Sequence, residues 1–259
     1  MSLIEPTQTT DDAFLGNALA VLQPRDGYRA GIDAVLLAAA APVRAGQSVL
    51  DAGSGVGVVG LCIAARVPEA RVTLVENEPR LAALAAENIT RNALQERVTI
   101  IEADVTAKAS VLTAAGVAPD SYDHVVANPP FHVEGRGRPS RHAIRAAAHA
   151  MPAGDLARWI KFAARVTRPG GSVTIVHRAE ALGELLGAVE GRFGALRVLP
   201  LHPRPGVAAV RVLLQGIKAS RAPLTLLPGF SLHEEDNRFR PAIAEILRHG
   251  TPLDMGTKV

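Results

Sequence analysis

The chain has 259 residues, 48% of them hydrophobic and 20% charged, which suits a globular core and is too long for a small disulfide scaffold. Its single cysteine, Cys62, excludes an intrachain disulfide and a multi-cysteine zinc or iron–sulfur site. The net charge of +3 is unevenly spread: residues 1–100 carry −3 and residues 101–259 carry +6, so the second part suits a polyanionic partner as well as an arginine-rich solvated surface.

The opening MSLIEPTQTTDD lacks a basic stretch leading into an apolar core, so no secretory signal is expected, and residues 1–12 read as a polar, frayed terminus. No apolar run approaches the roughly 20 residues of a membrane span, so no membrane partner and a cytoplasmic location are expected. From Leu19 an extended segment leads to a turn at Pro24–Gly27 and a return. A helix starts at Ile32, with Asp33 near its start, and stops at Pro42.

Two periods then alternate. Strands are predicted at 48–53, 71–76, 97–104, 122–131 and 172–177, and helices after the first glycine run, at 79–92, at 156–167 and after 177. Pro79 sits in the first turn of its helix, and PGG at 169–171 reads as a turn. The last two strand-like runs, ALRVLPLH and VAAVRVLLQGIK, have only the turn PRPG (203–206) between them and should pair antiparallel. The fold class is α/β: a doubly wound, mostly parallel seven-stranded sheet with right-handed crossovers and an antiparallel final hairpin. Internal repeats and low-complexity linkers are lacking.

The run DAGSGVGVVG follows the first strand of this alternation and opens a helix. Gly53, Gly55 and Gly57 allow a tight turn and close approach to a ligand, with Ser54 between them and free helix N–H groups behind. A dinucleotide fingerprint would need glycine at 58, where the chain has Val58. Asp51 brings a carboxylate that would repel a pyrophosphate and suits a ligand with an ammonium group and a sulfonium centre. Glu76, beside Asn77, ends the second strand and can bond ribose hydroxyls; Asp104, beside Val105, ends the third and can accept from an adenine amino group. Three acids at three consecutive strand ends describe a nucleoside site for a cationic cofactor, and S-adenosyl-L-methionine fits it. A structural β–α turn with surface acids is the alternative.

ANPPF (127–131) ends the fourth strand of the alternation, next to the first in a doubly wound order and so at the switch point. A nucleobase amine is a poor nucleophile because its lone pair is delocalised into the ring. Two acceptors aimed at its N–H bonds, the Asn128 side-chain oxygen and the Pro129 carbonyl, can draw the nitrogen towards tetrahedral geometry. Pro129 and Pro130 stiffen the loop, and Phe131 offers a face for base stacking. Asn-Pro alone is a common turn start; its position at this strand end is what gives it weight. Downstream, Arg136, Arg138, Arg141 and Arg145 form a basic loop beside the strand end, suited to RNA phosphates or to plain solvation, and His132 is a further candidate phosphate contact. Cys62 lies in the helix after the glycine loop and reads as a core residue, and the eight histidines show no metal-ligand spacing, so no metal is expected.

Asp51–Gly57, Glu76, Asp104 and Asn128–Phe131 resemble the class I S-adenosylmethionine-dependent amino-methyltransferases, which have a Rossmann-like fold. GYRAGIDAVLLAA (27–39) and the final LPLHPRPGVAAVRVLLQGIK resemble, more narrowly, the bacterial family that methylates the 6-amino group of an adenine beside the anticodon of valine tRNA. The resemblance implies an RNA substrate, tRNA first, with Asn128 and Phe131 at the target base. It also implies that residues 1–43 pack as an extension over the cofactor site of a 44–259 methyltransferase domain, with Asp33 and Tyr28 helping to close that site. That family often has tyrosine after the prolines, whereas Phe131 is followed here by His132, a pairing also found in enzymes acting on the guanine 2-amino group of ribosomal RNA. Guanine N2 methylation and methylation of a glutamine amide in a translation factor therefore stay open at this stage, as does a non-catalytic RNA-binding module. The oligomeric state is also open.

Overall fold

The computed structural model describes residues 8–27, 29–130 and 155–256. The chain begins with β1 (Thr9–Phe14), β2 (Leu19–Pro24) and α1 (Ile32–Ala40). The alternation follows as β3 (Ser48–Ala52), α2 (Val58–Arg66), β4 (Arg71–Glu76), α3 (Pro79–Arg91), β5 (Val98–Glu102), α4 (Ala109–Ala114) and β6 (Tyr122–Ala127). After it come α5 (Asp155–Val166), β7 (Thr167–Arg178), α6 (Leu182–Val189), β8 (Phe193–His202) and β9 (Arg211–Lys218). The chain ends with β10 (Thr225–Leu226), β11 (Phe230–Ser231) and α7 (Pro241–His249).

The main sheet has the order β10-β8-β9-β7-β6-β3-β4-β5, with β11 also on β8. Strands β3 to β7 run parallel, and β9 is antiparallel to both β7 and β8, as the short PRPG connection requires. Seven strands match the expected sheet; β10 and β11 extend it by two residues each. Alternate side chains feed two cores, because the strand period is two. Val49, Leu74, Val126 and Val176 pack with Leu36, Leu61, Leu84 and Ile243 on one face. Leu50, Val75, Val125 and Ile175 pack with Leu112, Ile160 and Leu185 on the other.

Three local readings change. Residues 9–12 are not frayed: they lie in β1, paired with β2 from Thr9↔Pro24 to Phe14↔Leu19. The partner of β2 thus precedes it rather than returning after Gly27, because the chain reverses at Leu15–Asn17, where three successive residues take positive φ. PGG is not a turn ahead of a strand. It is an irregularity inside β7, where the pairing with β6 jumps from Tyr122↔Thr167 to His124↔Ser172.

The hairpin is held by an asparagine ladder. On α3, Asn88 and Asn92 lie one turn apart on one face. Asn88 Oδ1 accepts from Leu22 N (2.7 Å) and its Nδ2 donates to Leu22 O (3.0 Å). Asn92 makes the same pair of bonds with Ala20. The two amides thus satisfy the free edge of β2 as a neighbouring strand would.

Candidate active site

β3 is the switch strand. It pairs with β4 on one side and β6 on the other, and Asp51 and Ala52 are opposite Leu74 and Val75, and Val126 and Ala127, respectively. The loop leaving it, Gly53–Gly57, therefore opens between the ends of β4 and β6, where ligands bind in open α/β sheets. All three loop glycines have positive φ, at 63°, 56° and 91°. A side chain at any of them would strain the turn. Ser54 N donates to Val75 O and Gly57 N to Ser54 O, which closes the loop onto β4.

Asp51 is 1% exposed, and its Oδ2 accepts from Gly60 N at 3.0 Å. Gly60 is a candidate site residue that the sequence reading passed over. A Cβ there would stand 2.3 Å from Leu74 Cδ2, so glycine lets α2 lie close enough on the sheet for this bond. The signal was present in the last glycine of DAGSGVGVVG. Burial raises the Asp51 carboxyl from the ordinary 3.8 to about 7, against the lowering effect of the Gly60 N–H and with a further push from the Glu76 charge.

Glu76, also buried, spends both oxygens on backbone. Oε2 accepts from Gly55 N (2.7 Å), and Oε1 from Asn77 N and Glu78 N (2.9 Å each). Asp104 lies two residues beyond the end of β5 and is exposed; its Oδ1 accepts from Thr106 N (2.7 Å) and Thr106 Oγ1 (2.8 Å). Val105 behind it is buried.

A crevice at these strand ends is lined by Asp51, Gly53, Ser54, Gly55 and Asn128, with Ala30 and Ala34 from the α1 side and Leu81 from α3. Asn128 and Pro129–Pro130 follow Ala127, the register partner of Ala52, so the Asn-Pro-Pro segment and the glycine loop leave adjacent strands side by side. Asp33 is turned elsewhere: its Oδ2 accepts from Arg211 Nε of β9 at 2.9 Å, joining α1 to the final hairpin. Tyr28, Phe131, His132, Arg136, Arg138, Arg141 and Arg145 lie outside the described residues. A second residue missing from the sequence reading is Trp159 of α5, the only tryptophan, whose ring lies against Gly53. Its place could not be read from helical spacing alone.

The donor set fits a nucleoside ligand with a cationic tail. Two buried acids flank the loop, and Ser54 Oγ is buried in the crevice with no hydrogen-bond partner among the described residues. Added side-chain volume at Gly55 would meet nothing within 4 Å. Cys62 is buried and its thiol is pushed up to about 12 by that burial, so it is an inert core residue. No three His, Cys, Asp or Glu side chains gather as a metal site among the described residues.

Residues 30–200 match the model of the methyltransferase small domain. The chain belongs to this methyltransferase family. Relatives of this small-domain methyltransferase include a tRNA1(Val) (adenine(37)-N6)-methyltransferase of Aeromonas hydrophila, 33% identical over 193 residues, which span 74% of this chain and 77% of that one. The protein of that name from Tolumonas auensis is 30% identical over 222 residues, covering 85% and 88% of the two chains. A crystal structure from Agrobacterium tumefaciens, described as a predicted O-methyltransferase, superimposes with a TM-score of 0.73 at 31% identity, over 85% of this chain and 98% of that one. Pyrococcus horikoshii TYW2, in complex with MeSAdo, shares the fold at 15% identity, with a TM-score of 0.52 over 84% and 74% of the chains.

Proposed function

We propose that this methyltransferase uses S-adenosyl-L-methionine to methylate the exocyclic 6-amino group of an adenine in RNA, with tRNA as the substrate. The observation that carries the reading is the Asn128-Pro129-Pro130 segment at the end of β6, immediately beside the glycine loop of β3. An oxygen or carbon nucleophile would not need paired acceptors there. An aromatic amine does, because its lone pair has to be freed from the ring. The relatives' names point to the same base and the same class of RNA.

When bound, S-adenosyl-L-methionine supplies an electrophilic methyl group on a positively charged sulfur. The chain's residues divide the remaining work. Asp51 holds the ammonium end through charge, and Ser54 with Gly53, Gly55 and Gly57 cradles the same end. Glu76 beside Asn77 takes a ribose hydroxyl through Oε2, which carries one backbone bond where Oε1 carries two, and Asp104 beside Val105 takes the adenine amino group through its Oδ2, since both its bonds to Thr106 fall on Oδ1. Asn128 Oδ1 and the Pro129 carbonyl accept the two N–H bonds of the target amine, and the prolines fix both acceptors before the base arrives. The attacking nitrogen sheds its extra proton to water after transfer, so no strong base is required. Phe131 stacks on the base; His132, Arg136, Arg138, Arg141 and Arg145 meet RNA phosphates.

Residues 1–43 act as a cover on the crevice. Ala30 and Ala34 already line it, and Asn88 joins Leu22 of the hairpin to Val56 O of the glycine loop. Asp33 then serves through its bond to Arg211, holding α1 in place, rather than by touching the cofactor. No described helix is long and apolar enough to cross a membrane; a tRNA substrate supports a cytoplasmic location.

The test is to incubate the purified protein with total RNA and methyl-labelled cofactor, digest to nucleosides and separate the products. Label in N6-methyladenosine supports the reading. Label in N2-methylguanosine replaces the base assignment, and absence of transfer to RNA, with label instead appearing in protein when a ribosome-free cell extract is supplied in parallel, overturns the reading.

A further inference from the structure

The feature this reading leaves unused is the contact between Trp159 and Gly53. α5 ends directly at the start of β7, so it runs against the parallel strands and its first turns lie at the catalytic edge of the sheet. Leu156, Ile160 and Ala163 form its buried stripe. Trp159 belongs to the neighbouring row with Phe162 and Val166, both buried, and is the member of that row nearest the catalytic edge. It is only partly buried, and its ring lies against Gly53, the first residue of the glycine loop. A Cβ built on Gly53 would stand 2.2 Å from Trp159 Cη2, 2.9 Å from Cζ3 and 3.2 Å from Cζ2. The far ring of the indole thus fills the volume that a side chain at 53 would take. Gly53 follows Ala52, whose register partner Ala127 precedes Asn128.

We infer that Trp159 is a positioning residue of the transfer reaction: its benzo ring backs Gly53, a residue that lines the crevice, and sets the glycine loop at a fixed distance from Asn128. The inference rests on the cofactor reading above. Phenylalanine cannot replace it, because the contact is made by Cη2, Cζ3 and Cζ2, which a phenyl ring at the same Cα does not reach. The pair is also reciprocal. A methyl group at Gly53 meets the indole directly, so the cost of Gly53→Ala depends on what stands at 159.

The chain's single tryptophan makes the test direct. Wild-type protein is titrated with S-adenosylhomocysteine while heat and tryptophan emission are recorded together. A saturable emission change that tracks the binding heat supports the inference. Heat with silent emission overturns it and leaves the cofactor site standing, whereas absence of heat sinks the cofactor reading itself. Trp159→Phe and Trp159→Ala should each weaken binding and slow single-turnover transfer by about tenfold or more, with melting temperatures close to wild type for the Phe variant. Gly53→Ala should weaken binding about tenfold more in the wild-type background than in Trp159→Ala. Additive effects in that cycle, or full activity of Trp159→Phe, would show that the indole is ordinary packing.

Discussion

Glu76 and Gly55 are joined across the mouth of the crevice: Glu76 Oε2 accepts the Gly55 N–H at 2.7 Å, while Oε1 holds the first two N–H groups after β4. One carboxylate thus fixes the loop that leaves β3 and the turn that leaves β4. Every one of its partners is a donor, so only an ionised acid satisfies all three.

Glu76→Gln and Glu76→Ala should therefore both weaken S-adenosyl-L-methionine binding, and by similar amounts. The amide turns a donor towards a donor, and the methyl leaves three N–H groups unpaired. Loss of a charged acceptor costs roughly 1.5–3 kcal/mol, about 10- to 100-fold in dissociation constant. Isothermal calorimetry checks this; unchanged affinity in both variants would place the ligand elsewhere on the protein.

Asp51 predicts an opposition between stability and binding. Its folded-state pKa of about 7 lies above the ordinary 3.8, so the folded chain holds this proton more tightly than the unfolded chain. The stability it contributes is full below about pH 4 and is lost as pH rises through about 7. Asparagine stays neutral and can still accept from Gly60 N. Asp51→Asn should match wild type near pH 4 and be more stable at pH 8 by about 2–4 kcal/mol, read from denaturant midpoints at both pH values. The same variant should lose cofactor affinity, and wild-type affinity should rise as pH increases from 6 to 8, because the ammonium end favours the ionised carboxylate. A variant equally stable at both pH values would mean that Asp51 is charged at little cost.

The sheet was legible because each strand carries an apolar run bounded by Gly, Pro or an acid, and because the connection lengths decide parallel or antiparallel pairing. The placement of Asp51, Glu76 and Asn128 at the ends of neighbouring strands was legible for the same reason: strand ends in a doubly wound sheet come together whatever the loops do. What was not legible depends on tertiary neighbours. Thr9–Phe14 looks like a polar tail, and it becomes a strand because Asn88 and Asn92, some 70 residues away, hold the far edge of its partner β2. Asp33 sits at a helix start and could have faced the crevice; Arg211, 178 residues on, decides otherwise. Trp159 carries a helical apolar signal that any core residue would carry, and only the packing of α5 on the sheet brings its ring against Gly53.

Asn128→Ala should separate binding from chemistry. Asn128 lines the crevice, but in the proposed reaction its oxygen acts on the nucleophile and not on the cofactor. Cofactor affinity should stay within about threefold, while kcat falls by about 100-fold or more, the scale seen when a preorganised polar partner of a reacting centre is removed. Single-turnover transfer to RNA, with calorimetry on the same preparation, checks both halves. Near-wild-type transfer would rule out the paired-acceptor mechanism.

The last prediction concerns the arginines at 136, 138, 141 and 145, which the sequence places directly after the Asn-Pro-Pro-Phe segment. If they neutralise phosphates of the substrate, wild-type RNA affinity should fall steeply with salt, with a log–log slope of about −0.7 for each single-stranded phosphate contact. Replacing all four with alanine should make that slope shallower by roughly 2–3 and leave cofactor affinity unchanged. The target adenine has to leave its stack to reach Asn128, at a cost of a few kcal/mol, and backbone contacts near the site offset part of it. The loss should therefore fall on KM for RNA more than on kcat. A filter-binding series from about 50 to 200 mM salt, run on both proteins, decides the matter. Parallel slopes would assign these side chains to the solvated surface and move the RNA contacts to other parts of the basic half of the chain.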